Sequence, residues 1–178
     1  MTLRPAVFLD RDGVINRPII RSGRPHPPAS VDDLEVLPGV PEALKRLKAA
    51  GFALVVVTNQ PDVARGAQTR ESVAAIHERL MSLLPLDEIR VCWHDDEDHC
   101  DCRKPKPGLI TRPPAYDLAR SAVVGDRWRD IDAGHNAGCA ASILVEYDYD
   151  EGIRTAPDAR VGSLAEAADW ILSTMVTR

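Results

Sequence analysis

Two carboxylates, Asp10 and Asp12, stand two residues apart directly after the apolar run Ala6-Val7-Phe8-Leu9. At strand spacing both side chains leave on the same side of the chain. Like charges this close are costly unless a cation neutralises them or one keeps its proton. A hard cation with oxygen ligands, such as magnesium, resolves the conflict. Alone, the pair fits an acidic turn before Gly13 equally well. A second cluster, Cys92-Trp93-His94 with Cys100-Asp101-Cys102, supplies three thiols and an imidazole in two close-spaced pairs. That spacing suits a closed tetrahedral zinc site with no position for water, hence a structural one; loop thiols without metal are the alternative. His99 breaks the paired spacing, and Cys139 stands apart as a buried small residue.

The elements that must position these residues read as alternating short apolar runs and helical patterns, the pattern of an α/β domain with a mainly parallel sheet. Strands are expected at 6–9, 52–57, 89–91, 122–124 and 142–145. Helices are expected at 40–50, 73–84 and 130–137, with a last one starting at Ser163, where Ser163 and Glu166 form a capping box. Residues 17–39, with five prolines, read as a loop excursion, and Pro113-Pro114 interrupts a helix expected over 109–121. Ligands of such sheets bind beyond the carboxyl ends of the strands. Asp10, Thr58, Cys92 and Gly125-Asp126 all fall at such ends, so one cleft can collect them.

The bulk composition narrows the function classes. With 44% hydrophobic and 28% charged residues, the chain reads as an ordinary single domain over 1–178. A formal net charge of -5 and a pI near 5.5 argue against nucleic-acid or anionic-membrane partners. No stretch is long enough to span a bilayer, and a cytoplasmic monomer is the default expectation. Any phosphate-bearing substrate must be met by a local cluster of Arg and Lys.

Four motifs in order carry a resemblance to the haloacid dehalogenase (HAD) superfamily, subfamily III. They are Asp10-x-Asp12-Gly13, Thr58-Asn59, Lys104, and Gly125-Asp126 with Asp130. The resemblance implies a Rossmann-like three-layer sandwich with a mainly parallel central sheet. It also implies a magnesium-dependent phosphatase. Asp10 is then the nucleophile that forms an aspartyl-phosphate, and Asp12 the general acid and base. Thr58 donates to a phosphoryl oxygen, and Lys104 offsets charge on Asp10 and the transferring group. Magnesium is held by Asp10, Asp126 and the backbone carbonyl of Asp12; Asp130 stands open between a metal contact and a helix carboxylate. An aspartate at position 12 favours phosphatase over dehalogenase, because an ester leaving group needs an acid and a halide does not.

The run from Cys92-x-His94 to Cys100-Asp-Cys102-Arg103-Lys104-Pro-Lys106-Pro-Gly is similar to the heptose bisphosphate phosphatases and the related histidinol phosphatases, as are Thr58-Asn59-Gln60 and Ala64-Arg65-Gly66. That likeness implies zinc on Cys92, His94, Cys100 and Cys102. It also implies a small sugar phosphate, D-glycero-D-manno-heptose 1,7-bisphosphate first and histidinol phosphate second. Substrate binding is expected from Asn59, Gln60, Arg65, Arg103, Lys106 and Arg127, with Arg103 on the retained phosphate. Pro61-Asp62 departs from the family, which usually has Ser-Gly there. The intervals between motifs leave no room for a large cap domain, so specificity is expected from loops 17–30, 60–70 and the zinc loop. A non-catalytic zinc-stabilised interaction module is the reading from a different class; the intact Asp10, Asp12, Lys104 and Asp126 speak against it.

Overall fold

The computed structural model describes residues 3–149 and 151–176. Its centre is a six-stranded sheet built from β1 (Ala6–Leu9), β4 (Ala53–Asn59), β5 (Glu88–Cys92), β6 (Ala122–Gly125), β7 (Ala141–Val145) and β8 (Ala159–Val161). The spatial order is β5-β4-β1-β6-β7-β8, and every neighbouring pair is parallel. Strands β1, β6 and β7 are buried at every position. Burial on both faces explains why they read as unbroken apolar runs rather than as an alternating pattern.

The alternating side chains of each strand feed two cores. Val7, Leu9, Leu54, Val56, Val124 and Ile143 face one side, where α1 (Val40–Ala49), α3 (Arg70–Leu83) and α6 (Leu164–Met175) supply Leu44, Leu47, Ile76, Leu80 and Ile171. Ala6, Phe8, Val55, Val57 and Val123 face the other. There α4 (Gly108–Thr111) and α5 (Trp128–Ala137) supply Leu109, Ile110 and Ala133. The result is the three-layer sandwich expected from the motifs. Each fully buried Val, Leu or Ile contributes about 1.5–3 kcal/mol, so both helix layers are firmly held.

Three departures from the sequence reading have physical reasons. Residues 17–39 are not wholly loop: β2 (Ile19–Arg21) and β3 (Arg24–His26) form an antiparallel hairpin. Its turn is Ser22-Gly23, both at positive φ (50° and 71°), the backbone hand that suits a two-residue hairpin. Pro25 is tolerated because a two-stranded ribbon has unpaired edges. Strand β8 gave no signal, being three residues long, at the sheet edge and only half-buried. Two short helices, α2 (Pro61–Ala64) and α4, each of four residues, are below the length at which periodicity is visible. Helix α4 stops at Thr111, two residues before Pro113-Pro114, in line with the interruption read from the sequence. The Ser163 hydroxyl accepts from Glu166 N at 3.2 Å, but Glu166 reaches Gly162 N at 2.8 Å rather than closing the box on Ser163.

Candidate active site

Chain order and spatial order diverge around β1: β4 and β5 lie on one side of it, β6, β7 and β8 on the other. Such a switch opens a crevice at the carboxyl ends of the strands. Asp10 follows β1, Thr58 and Asn59 end β4, and Asp126 follows β6. A cavity of about 340 Å³ lies there. Asp10, Asp12, Thr58, Asn59, Gln60, Arg65, Arg103, Lys104, Asp126, Arg127 and Asp130 all line it. All three loops expected to set specificity reach it as well, through Arg24 and His26, Asp62 and Arg65, and Asp96 and Arg103.

Lys104 is the hub of the floor. Its Nζ donates to Asp10 Oδ1 at 2.7 Å, Asp130 Oδ1 at 2.6 Å and Val57 O at 2.7 Å, so all three protons are used. Lys104 is 2% exposed. Burial alone would depress its pKa, but the two carboxylates carry it above the ordinary lysine value. Asp10 is pushed up to about 6, by burial first, with Lys104 pulling the other way and Asp130 and Asp12 adding to the rise. Asp126 is raised well above the usual carboxylate range, again by burial and then by Asp10 and Asp130. Three buried carboxylates thus crowd around one ammonium, which among them bonds only Asp10 and Asp130.

That excess of negative charge is a fit test for a metal. Asp10, Asp126 and Asp130 each offer one carboxylate oxygen, and these lie within 4.8 Å of one another. Asp126 Oδ1 is buried without a hydrogen-bond partner. An all-oxygen donor set with an orphaned carboxylate oxygen fits a hard divalent cation. The Asp12 carboxylate is outside this group because other partners take it: Arg11 at 3.0–3.2 Å, Asn16 at 2.9 Å and Gln60 at 3.2 Å.

Several side chains expected at the substrate act on the frame of the site. Asn59 clamps the backbone of Lys104, donating to its O at 3.2 Å and accepting from its N at 3.1 Å. Gln60, 1% exposed, bridges Thr58 Oγ1 at 2.8 Å and Asp12. Lys106 does not line the cleft, because its Nζ turns back to Cys100 O. The remaining cations stand at the rim, each fixed by a carboxylate. Arg65 pairs with Asp95 at 2.6 Å, Arg103 with Asp96 at 2.8 Å and Arg127 with Glu151 at 2.9 Å.

The cysteine-histidine quartet forms beside this rim. Cys92 Sγ lies 3.2 Å from Cys102 Sγ, 3.7 Å from Cys100 Sγ and 3.6 Å from His94 Nδ1, and His94 Nδ1 lies 3.3 Å from Cys102 Sγ. A tetrahedron with zinc–ligand bonds of about 2.0–2.3 Å has edges of roughly 3.5–3.8 Å, so the quartet is close to that size. All four cysteines are free thiols. Burial raises the Cys92 thiol above its ordinary pKa, a cost a bound cation would reverse.

Sequence reasoning missed four groups. Arg129 lines the cleft and shares Asp96 with Arg103; its place in the first turn of α5, three residues after Asp126, was the available signal. Arg11, fully buried, holds Asp12 and in turn meets His77 Nε2 at 2.9 Å. Asp95 and Asp96 in an exposed acidic turn, and Tyr149 in an irregular segment, carried no signal. Trp93 and Trp128 do not line the cleft; each is covered by an arginine, Arg70 at 5.2 Å and Arg154 at 3.5 Å.

Clustered buried carboxylates around a lysine, in a donor set that fits a hard cation at a parallel-sheet switch point, match a hydrolase of the HAD phosphatase class. Comparison with known proteins agrees. A HAD-hydrolase-like family model matches residues 101–171. The D-glycero-beta-D-manno-heptose-1,7-bisphosphate 7-phosphatase of Escherichia coli K12 is 37% identical over 186 residues, covering 96% of this chain and 90% of the relative. The D-glycero-alpha-D-manno-heptose-1,7-bisphosphate 7-phosphatase of Mycobacterium tuberculosis is 37% identical over 179 residues, covering 91% and 88%. Among solved structures, D,D-heptose 1,7-bisphosphate phosphatase from B. bronchiseptica, complexed with magnesium and phosphate, superimposes with a TM-score of 0.75. It is 34% identical, with 95% of this chain and 98% of that one covered. The chain therefore belongs to the heptose bisphosphate phosphatase family of HAD-like hydrolases, which are phosphoric monoester hydrolases. Among the described residues no helix is long and apolar enough to cross a membrane.

Proposed function

We propose that this enzyme removes the 7-phosphate of D-glycero-D-manno-heptose 1,7-bisphosphate by way of an aspartyl-phosphate on Asp10. The observation that supports it most is the division of the cleft. Carboxylates and Lys104 occupy the floor, while Arg65, Arg103, Arg127 and Arg129 line the rim. One end suits phosphoryl transfer, and the other suits a phosphate that is held and retained. The substrate named for the relatives carries two phosphates, as this division requires.

The chemistry follows from the residues. Asp10 attacks phosphorus as the bond from phosphorus to the sugar oxygen breaks, and Asp12 gives that oxygen its proton. Asp12 then takes a proton from water, which attacks the same phosphorus and releases inorganic phosphate, restoring Asp10. Lys104 offsets charge on Asp10 and on the transferring group, and the Thr58 hydroxyl donates to a phosphoryl oxygen. Magnesium held by Asp10, Asp126, Asp130 and the Asp12 carbonyl supplies further charge neutralisation when bound. Zinc on Cys92, His94, Cys100 and Cys102 has a structural part: it fixes the loop that delivers Arg103 and Lys104.

The test compares phosphate release from the heptose 1,7-bisphosphate, sugar monophosphates and histidinol phosphate, with magnesium present. The expected result is a kcat/KM at least about 100-fold higher for the bisphosphate, the worth of two charge-assisted contacts. Equal turnover of monophosphates would overturn the substrate assignment and leave the reaction class standing.

A further inference from the structure

The two oxygens of Asp126 have opposite fates. Oδ1 is buried without a partner, whereas Oδ2 accepts a hydrogen bond from Tyr149 Oη at 2.7 Å. Tyr149 sits in the irregular segment that leaves β7. Nothing in the chemistry of phosphoryl transfer calls for a phenol at this position. Three further features hold it there. Its ring stacks on Tyr147, with centroids 5.0 Å apart and planes 3° from parallel. Tyr147 Oη in turn donates to Gly13 O at 2.9 Å, tying the segment to the loop that carries Asp10 and Asp12. Gly13, at φ 91°, leaves the space the bond needs, because a Cβ there would overlap the Asp126 carboxylate and lie 3.2 Å from Tyr149 Oη.

We infer that Tyr149 is a positioning residue for the metal site: its hydroxyl pins Asp126 so that Oδ1 stays turned to the cation. A carboxylate free to rotate can offer either oxygen and loses orientational freedom when it binds an ion. One held by a donor has that loss already met. Partners of this kind are typically worth about 10- to 100-fold in metal affinity. The inference rests on the reading of Asp10, Asp126 and Asp130 as the magnesium site, and metal binding measured without substrate separates it from the phosphatase assignment.

The experiment titrates magnesium into the intact zinc-bearing protein by calorimetry, for the natural chain, Tyr149→Phe and Tyr147→Phe. Phenylalanine keeps the ring stack, so zinc content and melting temperature should be unchanged. Tyr149→Phe should raise the magnesium Kd by about 10-fold or more, and saturating magnesium should restore its kcat to within about twofold. Tyr147→Phe loses the bond to Gly13 but leaves Asp126 its donor, and should bind magnesium within about twofold of the natural chain. An unchanged Kd in Tyr149→Phe would overturn the inference. So would an equal rise in Tyr147→Phe, which would assign the effect to the segment and not to the hydroxyl. If Tyr149→Phe failed to fold, Tyr149 would be a structural residue and the inference would be overturned too.

Discussion

Replacing Lys104 by methionine tests the electrostatic core of the site. The methionine fills similar space but removes an ammonium bonded to Asp10, Asp130 and Val57 O, all within 2.7 Å. Breaking one side of a buried pair typically costs about 3–5 kcal/mol, because the partner charge is left uncompensated. For a chain of this size that is a fall in Tm on the order of 10 °C. The loss depends on pH in a definite direction. Asp10 is already raised to about 6 against the opposing pull of Lys104, and without that pull it rises further. A carboxyl with a raised folded pKa favours the folded state at low pH and loses that contribution as pH climbs through the folded value. The variant should therefore be closer to the natural protein at pH 5 than at pH 8. Thermal unfolding followed by circular dichroism at both pH values, without added magnesium, measures this. Phosphate release should fall at least about 100-fold, as for loss of a donor to the transition state. A Tm drop below about 2 °C, or one equal at the two pH values, would refute the shared-ammonium argument.

Three other outcomes follow from the geometry. Metal analysis of the purified protein should find one zinc per chain, and Cys102→Ser should lose it together with stability and activity; zinc-free protein of full activity would contradict the structural site. Asp96→Ala should raise KM for the bisphosphate several-fold with kcat nearly unchanged, because Asp96 orients both Arg103 and Arg129. Stability should move by less than about 1 kcal/mol, since these ion pairs involve an exposed carboxylate; a fall in KM would mean that Asp96 competes with substrate. His77 is held neutral down to about pH 4 by burial and by Arg11. It should cost the fold up to about 3 kcal/mol as pH falls from about 6.5 to 4, and His77→Gln should flatten that part of the urea-denaturation profile.

The sheet and the floor of the site were legible because burial on both faces writes strands as apolar runs. Chemistry also confines Asp10, Thr58 and Asp126 to the ends of such runs. The clustering of Cys92, His94, Cys100 and Cys102 was legible from side-chain type and spacing alone. The hairpin around Ser22-Gly23 was not, since the five prolines of residues 17–39 signal loop and its strands are three residues each. Nor were the partners of the catalytic groups. Whether Asn59 faces substrate or the Lys104 backbone is decided by long-range packing of β4 against the zinc loop. The pairing of Arg65 and Arg103 with an acidic turn thirty and seven residues away is likewise a property of the folded loop. Arg11, between two aspartates, carried no signal in the sequence, yet it is fully buried. Its burial becomes visible only once α3 places His77 against it.

The measurement closest to the central claim is steady-state phosphate release from D-glycero-D-manno-heptose 1,7-bisphosphate with magnesium, by the natural chain and by Asp10→Asn. The natural chain should release one phosphate per substrate molecule. The variant should lose at least about 1,000-fold in rate, as for removal of a covalent nucleophile, with zinc content and Tm retained. Substantial turnover by folded Asp10→Asn would contradict the central claim.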